Sequence, residues 1–329
     1  MKKFINQVEL VEDQMIQGMV KAYPQYVRKL DCGNVVVRTE KKEGNVALIS
    51  GGGSGHEPAH GGYVGTGMLD AAVAGAVFTS PTPDQIYEGI KAIATDKGVL
   101  MVIKNYTGDV MNFEMAGEMA QMDDIKVAQV VVNDDVAVDG SLYTVGRRGV
   151  AGTVFVHKIA GAKAEQGAEL EEVQRVAQKV IDNVRTMGVA IRPCTVPAAG
   201  KPGFELGEDE MEVGIGIHGE PGTHKEPLRP ADEIVDHILD KILADIDYTG
   251  REVAVMVNSS GATPLMELFI INNHVADVLA AKGIRVYKTF VGEYMTSLEM
   301  EGFSVSLLRL DDELKALLDA HADTIAFKA

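Results

Sequence analysis

Residues 51–60 read Gly-Gly-Gly-Ser-Gly-His-Glu-Pro-Ala-His, a dense set of groups that could do chemistry. They follow residues 45–50, Asn-Val-Ala-Leu-Ile-Ser, a short apolar run that reads as a buried strand. Glycine lets a ligand approach the main chain closely, and ligands of open α/β sheets sit beyond the carboxyl ends of the strands. His56, with Glu57 beside it, is delivered to such a position. Taken alone, the stretch is equally a tight strand-to-helix turn carrying a surface histidine. Two better-known chemistries are excluded. A phosphate loop needs lysine after its last glycine, and here His56 follows Gly55. His56-Glu57-Pro58-Ala59-His60 fits the zinc-protease pattern, which needs both histidines on one helical face. Pro58 is tolerated only in the first turn of a helix, so His60 could be helical but His56 could not.

Two further segments end buried strands. Lys104-Asn-Tyr-Thr-Gly-Asp109 follows the apolar run at residues 99–103, and His218-Gly-Glu-Pro-Gly222 follows the alternating run at residues 211–217. Each alone is a polar loop. Together the three segments offer a lysine, an aspartate and two histidines: a general acid/base set with a possible nucleophile.

The elements that must position these groups alternate between strand and helix, which predicts an α/β protein. Helices are expected over residues 8–23, 85–95 and 111–122, with Thr82 or Asp84 capping the second, and residues 65–78 read as a buried helix and then a strand. Met115, Met119 and Met122, with Phe113, are the apolar positions of the 111–122 helix, and the methionines read as core packing rather than a metal or cofactor box. Strands are expected over residues 34–39, 46–50, 99–104 and 126–132, and residues 149–161 as an element leading into a crossing helix. Residues 169–187 form the clearest amphipathic helix, closed by Gly188. The second half restarts with strands at 189–196, 211–217, 252–257, 284–290 and 304–310, and with helices at 232–246, 265–281 and 312–320. The expectation is two α/β domains, residues 1–183 and 184–329, each on a mixed or mostly parallel sheet flanked by helices.

The length of 329 residues also favours two domains. Hydrophobic residues make up 46% and charged residues 24%, ordinary for a globular protein, while 35 glycines imply many tight turns. A net charge of −17 is the wrong sign for a nucleic-acid binder. Cys32 and Cys194 are too few for a disulfide framework. No apolar run reaches the roughly 18 residues of a membrane span, and the N-terminus lacks the apolar core of a signal peptide, so the expectation is a cytoplasmic protein.

Five segments carry a resemblance that covers essentially the whole chain. They are residues 51–58 (Gly-Gly-Gly-Ser-Gly-His-Glu-Pro), 78–83 (Phe-Thr-Ser-Pro-Thr-Pro), 103–109 (Ile-Lys-Asn-Tyr-Thr-Gly-Asp), 146–153 (Gly-Arg-Arg-Gly-Val-Ala-Gly-Thr) and 214–222 (Gly-Ile-Gly-Ile-His-Gly-Glu-Pro-Gly). In this order the chain resembles the dihydroxyacetone-binding K subunit of the phosphotransferase-linked dihydroxyacetone kinases. The resemblance implies that His218 holds dihydroxyacetone as a covalent hemiaminal. It implies that Gly53, Ser54, Gly55, His56, Lys104 and Asp109 contact the ligand, with His56 and Asp109 as acid/base groups. From the residues alone, Lys104 could equally make a surface ion pair. Glu57 and Glu220 are expected to hold loop backbone or the second nitrogens of the histidines. No metal site or nucleotide cofactor is expected on this chain. The resemblance places ADP or ATP with Mg²⁺ on a partner L subunit, recharged by a phosphotransferase protein, and implies a homodimer. The competing class is a non-catalytic dihydroxyacetone sensor that works with a transcription factor. The presence of both His56 and Asp109 favours the enzyme.

Overall fold

The computed structural model describes residues 2–138 and 144–329. The first sheet collects β1 (Val27–Lys29), β2 (Val35–Arg38), β3 (Ala47–Ser54), β5 (Ala71–Val77), β6 (Val99–Lys104) and β7 (Val127–Val132), in the order β1-β2-β5-β3-β6-β7. Its β5, β3, β6 and β7 run parallel, while β1 and β2 add an antiparallel edge. β4 (Gly65–Thr66) lies apart. Alternation along the strands sets the two faces. Ile49, Met101 and Ile103 pack with α2 (Pro83–Ile93) and α3 (Thr107–Met122). Leu48, Leu100 and Val102 pack on the other face with α1 (Val11–Ala22), α4 (Thr153–Glu165) and α5 (Leu170–Asn183).

The second sheet has the order β10-β9-β8-β13-β11-β12, from β8 (Val184–Arg192), β9 (Glu210–Val213), β10 (His224–Pro227), β11 (Glu252–Ser259), β12 (Arg285–Gly292) and β13 (Glu301–Leu310). Only β11 and β12 pair in parallel. One face carries α6 (Ala231–Asp245) and α7 (Leu265–Ala281) through Ile234, Ile238, Leu268 and Ile271. From the other face, Ala254, Met256 and Leu308 join the same cluster as Val154 and Phe155 of α4. So α4 lies between the sheets, which is why nearly every residue of it is buried. α8 (Asp312–Asp319) also packs in this shared layer, and β14 (Asp323–Thr324) pairs with β4 of the first unit.

Several expectations need correction. The glycine run is the end of β3, not a turn leading to a helix. Each glycine has its own reason: an added Cβ would lie 2.5 Å from Val73 O at Gly51, 2.3 Å from Lys104 Nζ at Gly52, and 2.5 Å from Thr79 N at Gly53. Residues 65–78 contain strands rather than a buried helix, because β5 inserts between β2 and β3. The amphipathic helix stops at Asn183, and Val184 and Met187 belong to β8. Their spacing fits a helix equally well, and pairing with β13 decides the matter. α3 begins at Thr107, so Asp109 stands in its first turn rather than in a loop. Two of the methionines expected in the core are not there: Met115 and Met122 are 52% and 83% exposed, while Met119 is half-buried. The helix packs instead through Phe113, Ala116, Gly117 and Ala120. The second sheet is mixed and mainly antiparallel. The first sheet ends at Val132 and the second begins at Val184, and residues 312–324 return to the first unit.

Candidate active site between the two sheets

β3 ends at Ser54, and Gly55, at φ +101°, turns the chain to put His56 in full burial. The second unit holds this turn: Leu298 N donates to Gly55 O at 2.7 Å, and the Thr296 hydroxyl donates to Glu57 O at 2.8 Å. Glu57 accepts from Gly55 N at 3.1 Å, so it braces loop backbone rather than a histidine nitrogen. His56 Nδ1 lies 2.9 Å from Thr296 O. A carbonyl only accepts, so Nδ1 carries the hydrogen and the lone pair of the neutral ring is on Nε2. That lone pair faces His218 Nε2 at 3.3 Å. In the free site, then, His218 Nε2–H donates to His56.

His218 belongs to the segment between β9 and β10. Its N–H donates to Glu220 Oε2 at 2.9 Å, so Glu220 also braces loop backbone. Glu220 Oε1 accepts from Arg148 Nη1 at 3.2 Å. Arg148, itself buried, donates through Nε to Asp135 Oδ2 at 2.6 Å and through Nη2 to Gly214 O at 2.7 Å. A first-unit arginine thus clamps both ends of the loop that carries His218. Aromatic rings wall the imidazole: Tyr106 at 4.2 Å and Phe78 at 5.6 Å between centroids, both edge-on. Phe78 also stacks on His56 at 5.2 Å.

Asp109 accepts from the Ser80 hydroxyl on Oδ1 and from Lys104 Nζ on Oδ2, the latter at 3.3 Å. Lys104 is fully buried at the end of β6, and its ammonium also reaches Gly51 O and His60 Nε2, each at 3.2 Å. It is no surface ion pair.

Burial, with the Lys104 charge second, pushes His56 down to about 3. Burial, then His56, Lys104 and Arg148, holds His218 well below the usual histidine range. Both rings are therefore neutral near pH 7, as a nucleophile and a proton acceptor must be.

The cavity in front of these groups has a volume of about 530 Å³. Phe78, Ser80, Tyr106, Thr107, Gly108 and Asp109 line it from the first unit, and Val196, Gly203, His218, Gly219, Glu220 and Pro221 from the second. His218 and Asp109, expected from the sequence, thus meet in one cavity, with His56 directly behind His218. Gly53 and Ser54 are buried at the end of β3, and the Ser54 hydroxyl donates to Gly75 O at 2.7 Å. Gly55 and Lys104 sit in the turn and strand that support the cavity. Ser80, Tyr106, Arg148 and Thr296 were missed. The first three lie inside segments that carried the resemblance, but nothing in their spacing singled them out. His56 and His60 serve different partners, and among the described residues no group of three or more His, Cys, Asp or Glu is arranged to hold a metal ion. No helix among them is long and apolar enough to cross a membrane.

Comparison with known proteins gives the family. A Dak1 domain model matches residues 17–326. The chain is 55% identical over 329 residues to the PTS-dependent dihydroxyacetone kinase 1, dihydroxyacetone-binding subunit DhaK, of Listeria innocua serovar 6a, covering 99% of this chain and 100% of that protein. Among solved structures it is similar to the dihydroxyacetone kinase of C. freundii, with a TM-score of 0.92 and 36% identity, covering 99% of this chain but 60% of that longer one. It is also similar to the dihydroxyacetone kinase operon co-activator DhaQ, with a TM-score of 0.89 and 37% identity over 95% of this chain and 97% of that one. With the family model spanning nearly all of its length, the chain belongs to the Dak1 domain family, among the dihydroxyacetone-binding subunits of the dihydroxyacetone kinases.

Proposed function

We propose that this chain captures dihydroxyacetone as a covalent hemiaminal on His218 and presents it for phosphorylation by a nucleotide carried on a partner subunit. The observation that carries the reading is the facing pair of ring nitrogens, His56 Nε2 and His218 Nε2, 3.3 Å apart with the hydrogen of His56 committed to Thr296. His56 Nε2 takes the Nε2 proton of His218, and the electron pair of the broken N–H bond forms the bond from Nε2 to the ketone carbon as the carbonyl π pair moves onto oxygen. His56 passes that proton on to the oxygen, so a neutral carbinol results and His56 is restored. The captured ketone then lies in a cavity whose far wall is Asp109, which takes the proton of the hydroxyl that receives the phosphoryl group. Ser80 and Lys104 hold that carboxylate by its two oxygens. Gly53, Ser54 and Gly55 contribute main chain near the ligand. Lys104 can donate to a ligand hydroxyl only by exchanging one of its three acceptors. Capture positions the reacting hydroxyl before phosphoryl transfer and selects a ketone over glycerol, which has no carbonyl.

The donor in this reading is ATP with Mg²⁺ on an L subunit, recharged by a phosphotransferase protein. The likeness to a co-activator supports a second reading, ligand sensing without turnover. The 55% identity to a kinase subunit over the whole chain, and the Asp109 carboxylate held ready by Ser80 and Lys104, favour the enzyme. Intact mass spectrometry tests the capture step. The wild-type chain should gain one dihydroxyacetone per chain and nothing from glycerol, and His218→Ala should gain neither while remaining folded by circular dichroism. An adduct that survives in His218→Ala would move the nucleophile elsewhere, and no adduct in the wild type would end the reading.

A further inference from the structure

Behind Asp109 a line of buried polar groups runs into the layer between the sheets, and its hydrogens can be placed by elimination. The Lys104 ammonium carries three hydrogens and no lone pair, and three acceptors surround it: Gly51 O, Asp109 Oδ2 and His60 Nε2, at 3.2, 3.3 and 3.2 Å. His60 Nε2 must therefore accept, which leaves the hydrogen of the neutral ring on Nδ1. Ser50 gives the same answer independently. Its one hydroxyl hydrogen goes to Val102 O at 2.7 Å, so its oxygen, 3.4 Å from His60 Nδ1, can only accept. The His60 Nδ1–H also faces His157 Nε2 at 3.0 Å, so His157 accepts there and keeps its own hydrogen on Nδ1. That last nitrogen has no partner among the described atoms. A buried donor left without a partner is destabilising. Burial and the Lys104 charge push His157 down to about 3 and His60 well below its usual range, so both rings stay neutral.

We propose that His60, oriented by His157, is a positioning residue for the phosphorylation step: its Nε2 lone pair takes the third hydrogen of Lys104 and so fixes where the ammonium lies against Asp109. The proposal rests on the reading of Asp109 as the group that accepts the hydroxyl proton. It gives a role to the second histidine of the 56–60 stretch, which neither metal binding nor contact with the cavity explains.

Two measurements on the full chain test it. With ring-¹⁵N histidine, NMR of the unliganded protein should show His60 and His157 as Nδ1–H tautomers, each assigned by the signal lost in His60→Gln or His157→Asn. An Nε2–H tautomer at either residue overturns the proposal. In steady-state assays with the partner subunit, His60→Leu should lower kcat on the order of 10²-fold, the cost of about 1 Å of misplacement. KM for dihydroxyacetone should change little, and the His218 adduct should still form. His60→Gln, which keeps an acceptor and a donor, should recover most of the loss. Unchanged kcat in His60→Leu, or equal losses in both variants while the adduct still forms, overturns the proposal. If His60→Leu does not fold, the ring spectra decide. A wild type with neither adduct nor turnover would instead sink the functional reading and leave the tautomer result standing or falling on its own.

Discussion

His56 and His218 face each other through ring nitrogens whose basicity the fold has lowered, and this sets how the site should respond to pH. Burial, then His56, Lys104 and Arg148, depresses His218, and a lowered pKa extends the neutral form to lower pH. Adduct yield should therefore stay level from pH 8 down through 6.5, where an ordinary histidine would be half protonated, and fall only as the pH nears the depressed value. A yield that halves near 6.5 in intact mass spectra would contradict this. Asp109→Asn separates capture from transfer. The adduct should remain, while turnover with the partner subunit falls by about 10²–10⁴-fold, the usual effect of losing one acid/base group. Full turnover would remove Asp109 from the acid/base role. The reactive residues were legible because each lies just beyond an apolar run. Their partners were not: His56 meets Thr296 from 240 residues away and His218 from 162, and no local pattern encodes that pairing. His60 was visible only as half of a zinc pattern, because its partner His157 lies on α4, 97 residues away.

Strands and helices place these side chains through close approaches that only glycine allows. Gly51, Gly52 and Gly53 let Val73, Lys104 and the Phe78–Thr79 main chain come within distances that a Cβ would block. The glycine run was read as a turn because glycine is scarce in strands; its use here is to let Lys104 cross the face of β3. α3 was read one turn short, since Thr107-Gly108-Asp109 carries no apolar periodicity. The His218 loop depends on a different device, the Arg148 clamp on Asp135, Glu220 and Gly214. Arg148→Met should leave Asp135 buried without its cation, a change that typically costs about 3–5 kcal/mol. It should also release the loop, so that adduct formation fails before global unfolding in a urea titration. Coincident loss of adduct and fold would count against a separate role for the clamp.

The site is a property of the whole molecule, since each sheet supplies half of the cavity and α4 holds the sheets a helix apart. The α/β class and most elements were legible from periodicity. The shared central layer was not, because α4 mixes Phe155, His157 and Lys158 with small residues in no one-sided stripe, and nothing local says that both its sides are covered. Phosphoryl transfer should need a second protein. The sequence offers no phosphate loop, so the purified chain with ATP and Mg²⁺ should not phosphorylate dihydroxyacetone, and adding the nucleotide-carrying subunit should start turnover. Steady ATP consumption by the chain alone would refute this. The pairing of β14 with β4, and of α8 with α4, has a consequence for synthesis. The first unit's core takes in Leu314, Leu317, Leu318 and Phe327, so it cannot close when residues 1–183 leave the ribosome. At about 5–20 residues per second, its apolar face waits on the order of ten seconds for the segment that covers it, an interval in which a nascent chain is open to chaperones and to aggregation.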